Sequence, residues 1–313
     1  MPHIIDAHSH LWWVQDTTWN GQAIRTLSFN GSRSEFLGEE RQMLPPFMID
    51  GHNTAEVFLS NMDYAQVGAA VVVPEFIDGL QNDYLKEVRR RYPNRFFCYA
   101  MADYLRDGFC RQARQLLSLD GFPGLAIPAH RLLGRSLASP EMMEMFHYME
   151  DNGKYLSITL ADGDRQVAEL REVIADCPGL RIAVGHLAMA SPPLLPPWTC
   201  DSWRQQIMLA RHSNVMIESG GITWLYNSEF YPFPSAVRAI REAADLVGWQ
   251  KLMWGSDYPR TITAITYRMS YDFLYRSNEV TESQLQLFLG ENARRFYGFS
   301  ELPELAYVKN MSE

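Results

Sequence analysis

Short apolar runs rich in β-branched residues recur along the chain, each followed by a longer stretch whose apolar positions fall three or four residues apart. Eight such runs read as strands: 4–7, 69–73, 96–100, 124–127, 155–160, 181–184, 215–217 and 251–254. After the first, successive strands begin about 30 residues apart, which suits one strand, one helix and two loops, and implies parallel pairing. Start signals agree with the helices between them. Ser139-Pro140-Glu141 places an N-cap before a proline at the first helical position, and Thr281-Glu-Ser-Gln284 fits a capping box. Arg89-Arg90-Arg91 reads as the cationic last turn of a helix.

Eight parallel strands either close as a barrel or lie open as a doubly wound sheet. The open form binds nucleotides through G-x-G-x-x-G after its first strand, and this chain has none there, so an α/β fold of the (β/α)₈ TIM-barrel type is expected over residues 1–313, as one domain. Residues 12–50 show no clear period and predict an extended loop or a subdomain over one end of the barrel, with a lid as the functional expectation. The proline-rich segment 188–199 predicts a second such loop.

Composition narrows the function. With 28 basic against 37 acidic residues, a net charge of -9 opposes binding to a phosphate backbone, so no nucleic-acid partner is expected. No apolar run approaches the roughly 20 residues of a membrane helix, and no basic segment leads into an apolar stretch at Met1. A cytoplasmic protein is the expectation. Cys98, Cys110, Cys177 and Cys200 are widely spaced and form no zinc-ribbon pattern, so they read as reduced thiols.

Chemistry-bearing residues gather just after the predicted strands: His8 and His10, Glu75, Asp103, His130, Asp162, His186, Glu218 and Asp257. In a barrel the carboxyl ends of all strands open onto one face, where these groups converge. His8-Ser-His10 is the sharpest element, because alternate residues of an extended segment share a face. Asp6 has the same parity and either orients one imidazole or only caps a loop. Arg131, Arg135 and Arg260 can grip a carboxylate, Arg260 best placed of the three; solvated salt bridges are the plain alternative for each. Trp12, Trp13, Trp224 and Tyr258 can stack on a ring substrate or simply pack. Glu218 is a candidate for the substrate site or for pairing with an arginine.

Four stretches then carry a resemblance: Ile5-Asp-Ala-His8-Ser-His10-Leu-Trp12, Val184-Gly-His186-Leu, Asn214-Val-Met-Ile-Glu-Ser-Gly220-Gly and Trp254-Gly-Ser-Asp257-Tyr-Pro259. In this order they resemble the amidohydrolase superfamily, and within it the branch of sugar and dicarboxylate lactonases. Asn292-Ala-Arg-Arg-Phe-Tyr-Gly298 is similar to the family's closing helix. The resemblance implies a (β/α)₈ barrel with His8, His10, His186 and Asp257 at its active-site positions. Two-metal members add a lysine at strand 4 and a histidine at strand 5, whereas this chain has no lysine in 124–130 and no histidine in 155–161. The resemblance therefore implies either one divalent ion, zinc foremost, on His8, His10 and Asp257, or no obligatory cofactor, and the second is the expectation. The expected activity is hydrolysis of a small lactone bearing a carboxylate or hydroxyls, with Asp257 as general base. A metal-dependent decarboxylase and a barrel that only binds its ligand stay open as alternatives.

Overall fold

The computed structural model describes residues 3–118, 121–160, 163–189 and 201–312. Strand β1 spans Ile4–Ser9 and is buried along its whole length. It leads into an antiparallel meander of β2 (Asp16–Trp19), β3 (Gln22–Leu27), β4 (Asn30–Phe36) and β5 (Glu39–Gln42). The remaining strands are parallel: β6 (Val67–Val72), β7 (Phe96–Cys98), β8 (Gly124–Pro128), β9 (Tyr155–Thr159), β10 (Arg181–Val184), β11 (Val215–Glu218) and β12 (Leu252–Met253). Each of the eight predicted strands is present.

Parallel strands form two sheets, in the orders β1-β6-β7 and β12-β11-β10-β9-β8. Backbone hydrogen bonds cross both seams between them. On one side Ala100 N–H donates to Gly124 O at 3.0 Å and Ala126 N–H to Ala100 O at 2.8 Å. On the other, Ala7 N–H reaches Trp254 O at 2.8 Å, Asp257 N–H reaches His8 O at 2.9 Å, and His10 N–H reaches Tyr258 O at 2.7 Å.

Between the strands run α1 (Ala55–Tyr64), α2 (Asn82–Arg91), α3 (Phe109–Leu116), α4 (Pro140–Asp151), α5 (Gly163–Asp176) and α6 (Asp201–Met208). They are followed by α7 (Ile222–Leu225), α8 (Pro234–Val247), α9 (Met269–Asp272), α10 (Glu282–Gln286) and α11 (Asn292–Tyr297). The Thr281/Gln284 capping box forms as its spacing predicts, and Arg89, Arg90 and Arg91 fill the last turn of α2. Ser139 precedes Pro140 at the start of α4, yet its hydroxyl caps nothing and is buried without a partner.

Alternation along the strands sorts the core into two layers. Ile5, Ala7, Ala69, Val71, Tyr99 and Met253 meet inside the strands, while Ile4, Val67, Ala70 and Val72 face the helices. Burying each of the Ile, Val and Met side chains among them stabilises the fold by roughly 1.5–3 kcal/mol. Small residues set the strand spacing: a Cβ on Gly124 would fall 2.8 Å from the Tyr99 ring.

Of the two forms expected for 12–50, an extended loop or a subdomain, the stretch takes the second, a small antiparallel sheet. Its strands are polar on most positions, so no apolar alternation marks them. The turns carried the missing signal: Asn20 (φ 49°) and Gly21 (φ 76°) are both left-handed, the requirement of a tight hairpin turn that Asn-Gly satisfies. The second predicted loop, 188–199, lies from residue 190 onward outside the described residues, as do Asp162 and Cys200. Cys98, Cys110 and Cys177 are free thiols. Among the described residues no helix is long and apolar enough to cross a membrane.

Candidate active site

A cavity of about 310 Å³ opens at the carboxyl ends of the parallel strands. His8, His10, His186 and Asp257 form part of its floor, and Phe36, Arg41, Gln42 and Met43 reach its wall from the antiparallel meander.

A local irregularity aims His8. Ile5 and Ala7 point into the inner core, so regular alternation would turn His8 away. Between the pairs Asp6↔Ala70 and Ser9↔Val72, however, β1 advances three residues while β6 advances two. The extra residue reverses the parity, as bulges do beside active sites. Asp6 is therefore not on the imidazole face, contrary to its expected orienting role. Its carboxylate accepts from His8 N–H (3.1 Å), Ser256 N–H (2.8 Å) and the Tyr267 hydroxyl (2.7 Å), tying β1 to the segment after β12. Room for His8 is made by glycines, since a Cβ on Gly255 would lie 2.6 Å from His8 Cβ and one on Gly220 would lie 2.8 Å from His8 Cγ.

Three imidazoles are anchored through Nδ1. His8 Nδ1 meets Glu218 Oε1 at 2.6 Å, His10 Nδ1 meets Asp78 Oδ2 at 2.9 Å, and His186 Nδ1 meets Gly220 O at 2.7 Å. Each acceptor holds a proton on Nδ1 and points Nε2 at the cluster, where it donates while protonated and can ligate once that second proton is lost. His8 Nε2 and His10 Nε2 are 3.2 Å apart, and Asp257 Oδ1 stands 3.0 Å from the latter and 3.6 Å from the former. Donor atoms of His8, His186 and Asp257 all lie within 4.8 Å of one another. Ligands of a tetrahedral zinc-class ion, about 2.0–2.2 Å from the metal, stand about 3.3–3.6 Å apart, so the spacing, burial and N/O donor set fit one divalent ion. His186 (φ 56°) and Asp257 (φ 60°) both hold left-handed backbone, uncommon for residues with a side chain, and such strain gathers at functional sites.

Burial alone would depress the imidazole of His8; the Glu218 carboxylate against it more than offsets this and holds it above the ordinary histidine value. His10, between Asp78 and Asp257, is held well above despite burial. His186 lies below, from burial and then the neighbouring His8. Burial would raise Asp257, but the hydrogen bond from His10 and the surrounding imidazoles keep it far down and ionised.

The other candidates divide. Trp224 lies in α7 and donates its indole N–H to Asp257 Oδ2; Arg260 lies over the same indole, its guanidinium carbon 3.7 Å from the ring centre. Both line the cavity, as do Trp12, His130, Glu75 and Arg131. Arg131 is paired with Glu75, so its charge is already matched. Burial pushes the His130 imidazole down. Glu218 lies behind His8, neither against substrate space nor paired with an arginine. Tyr258 is turned outward and stacks on Phe58 with ring centres 4.0 Å apart, so it does not line the cavity. Trp13 is exposed and stacks on His52. Arg135 pairs with Asp107 and Glu141, and Asp103 is likewise outside the cavity. Asp78 was missed by the sequence reading, although an acid three residues after Glu75 at a strand end was a visible signal.

The amidohydrolase family profile matches residues 5–299. Three solved structures share the fold at low identity. A probable 2-pyrone-4,6-dicarboxylic acid hydrolase from Acinetobacter baumannii, with citric acid bound, is 17% identical, covering 95% of this chain and 99% of its own, at a TM-score of 0.69. An amidohydrolase from Burkholderia multivorans with bound zinc is 16% identical over 96% of this chain and 100% of its own, at 0.65. The 5-carboxyvanillate decarboxylase of Novosphingobium aromaticivorans, complexed with manganese and a nitrobenzoic acid, is 18% identical over 78% and 80%, at 0.56. No curated protein sequence matches the chain significantly.

Proposed function

The chain belongs to the amidohydrolase family, and from that premise we propose that its two parallel sheets make one closed (β/α)₈ barrel domain that hydrolyses a small carboxylated lactone. The observation that carries the reading is the convergence of three Nδ1-anchored imidazoles on the Asp257 carboxylate. The set expected from the sequence, His8, His10 and Asp257, favoured a site without an obligatory ion; the donors of His8, His186 and Asp257 instead make a set of three suited to one, with His10 beside it. When bound there, a divalent ion lowers the pKa of water and polarises a carbonyl.

The chain's own residues do the rest. Asp257, ionised and held by His10 and Trp224, takes a proton from the attacking water as the new C–O bond forms at the ring carbonyl. The tetrahedral adduct then expels the ring oxygen, and Asp257 returns the proton to it. Glu218 and Asp78 hold His8 and His10 in one orientation, so no reorganisation is needed during reaction. Among the described residues Arg260 has no carboxylate within ion-pair distance, which suits it to a substrate carboxylate at the cavity rim.

Decarboxylation is the rival reading, since one of the structural neighbours is a decarboxylase complexed with manganese, so the test sets the two reactions side by side. Zinc- or manganese-loaded protein is offered 2-pyrone-4,6-dicarboxylate, sugar-acid lactones and hydroxylated benzoates. Proton release from a lactone without carbon dioxide is expected. Carbon dioxide from a benzoate, with every lactone intact, would overturn the assignment in favour of a decarboxylase.

A further inference from the structure

A second set of metal-type donors lies away from the cavity. His147 and Glu150 stand three residues apart on α4 and so share a face, and Cys177 follows directly on α5. Their donor atoms lie within 4.8 Å of one another. Cys177 Sγ is 3.6 Å from His147 Nδ1. Sulfur and nitrogen bound to one tetrahedral zinc-class ion, at about 2.3 and 2.0–2.1 Å, stand about 3.5 Å apart. On its other side His147 Nε2 meets Asp176 Oδ2 at 2.9 Å, the carboxylate contact that fixes a ligating imidazole.

The charge around this group is one-sided. Glu150, Asp151 and Asp176 all bear on the Cys177 thiol, and among the described residues no lysine or arginine forms an ion pair with any of the three. We propose that His147, Glu150 and Cys177 form a second cation site, selective for a zinc-class divalent ion, that clips the end of α4 to the end of α5. Those ends lead into the starts of β9 and β10, so the clip sits on the face opposite the cavity, where barrel residues serve stability. Burial, with the three carboxylates adding to it, holds the thiol at about 12. Binding therefore displaces its proton to solvent and forms a metal–thiolate bond, with the fourth position left to water.

Sulfur distinguishes this site from the catalytic one, whose donors are nitrogen and oxygen only. Metal-stripped full-length protein is titrated with cobalt(II) and read by absorption. A thiolate-to-cobalt charge-transfer band is expected, saturating at about one equivalent beyond the catalytic ion. Cys177→Ser should abolish the band while cobalt still fills the catalytic site. His147→Gln should shift the band to at least about 10-fold higher cobalt concentration, and it serves alone if the serine variant fails to fold. No band on the folded parent with cobalt in excess overturns the proposal. A band that persists unchanged in the variants also overturns it, because the cobalt then sits on another thiol.

Discussion

Trp224 and Asp257 are joined by an indole N–H that donates to one carboxylate oxygen, Oδ2, while the other, Oδ1, stands 3.0 Å from His10 Nε2. The carboxylate is thereby held at both ends, one by a fixed donor on α7 and one by the histidine cluster. A carboxylate so held offers a single oxygen to the reacting centre and cannot swing to offer two. Because Arg260 lies over the same indole, the cation proposed to meet substrate and the proposed base share one support.

Replacing Asp257 by Asn keeps the shape but removes the proton acceptor. Positioned acid–base catalysis contributes about 10²- to 10⁴-fold, so kcat on the best substrate should fall at least about 100-fold in protein that still folds. Excess zinc should not restore it. Retention of more than about a tenth of the parent kcat by the folded variant would remove Asp257 from the role of base.

Asp78→Asn isolates the support of His10. Asn can keep an oxygen where Oδ2 accepts from His10 Nδ1 and Glu75 N–H, so the fold is preserved while the negative charge is lost. Loss of such an outer carboxylate costs about 10- to 100-fold in metal affinity or activity. Zinc affinity, measured by competition with a chromophoric chelator, should drop by that amount. Unchanged affinity would mean that His10 does not depend on Asp78.

Much of this was legible before any coordinates. Strands of a parallel sheet are buried on both faces and so appear as short β-branched runs, which is why all eight could be read. Polar residues after those runs had one face to converge upon, and His8, His10, His186 and Asp257 do meet. What was illegible depended on a single extra residue or on side-chain direction. The bulge in β1 reverses parity and takes Asp6 out of the imidazole face. Tyr258 adjoins Asp257 but points into the aromatic layer around Phe58, a direction that proximity in sequence does not specify. The meander of 12–50 hid because its strands are polar on most positions, so only its Asn20-Gly21 turn betrayed it.

Stability should depend on pH with opposite sign in stripped and zinc-loaded protein. His8 and His10 are held above their ordinary value by Glu218, Asp78 and Asp257. In stripped protein their contribution is fully present below the unfolded value, about 6.5, and is lost as pH rises through the raised folded values. Zinc needs the same nitrogens unprotonated, so the stabilisation it adds should grow as pH rises through that window. Melting temperatures from pH 5.5 to 8.5, with chelator and with zinc, would show it, measured in Cys177→Ser so that only the catalytic site responds. A zinc-induced shift independent of pH would mean that the ion is not bound by these imidazoles.

Arg260 gives the clearest separation of binding from chemistry. Its guanidinium lines the cavity over Trp224 and makes none of the contacts to the histidine cluster, so a substrate carboxylate gripped there is expected to be held alike in the ground and transition states. Removing a contact of that kind raises KM and spares kcat. A hydrogen bond to a charged group is worth about 1.5–3 kcal/mol, so Arg260→Ala should raise KM roughly 10- to 100-fold on a carboxylated substrate. Arg260→Lys should recover only part of this, because an ammonium keeps the charge but loses the planar two-point grip and the flat stack on the indole. A matched substrate lacking the carboxylate should be indifferent to both changes. An unchanged KM for the carboxylated member of the pair would place its anion elsewhere in the cavity and leave Arg260 as a support for Trp224 alone.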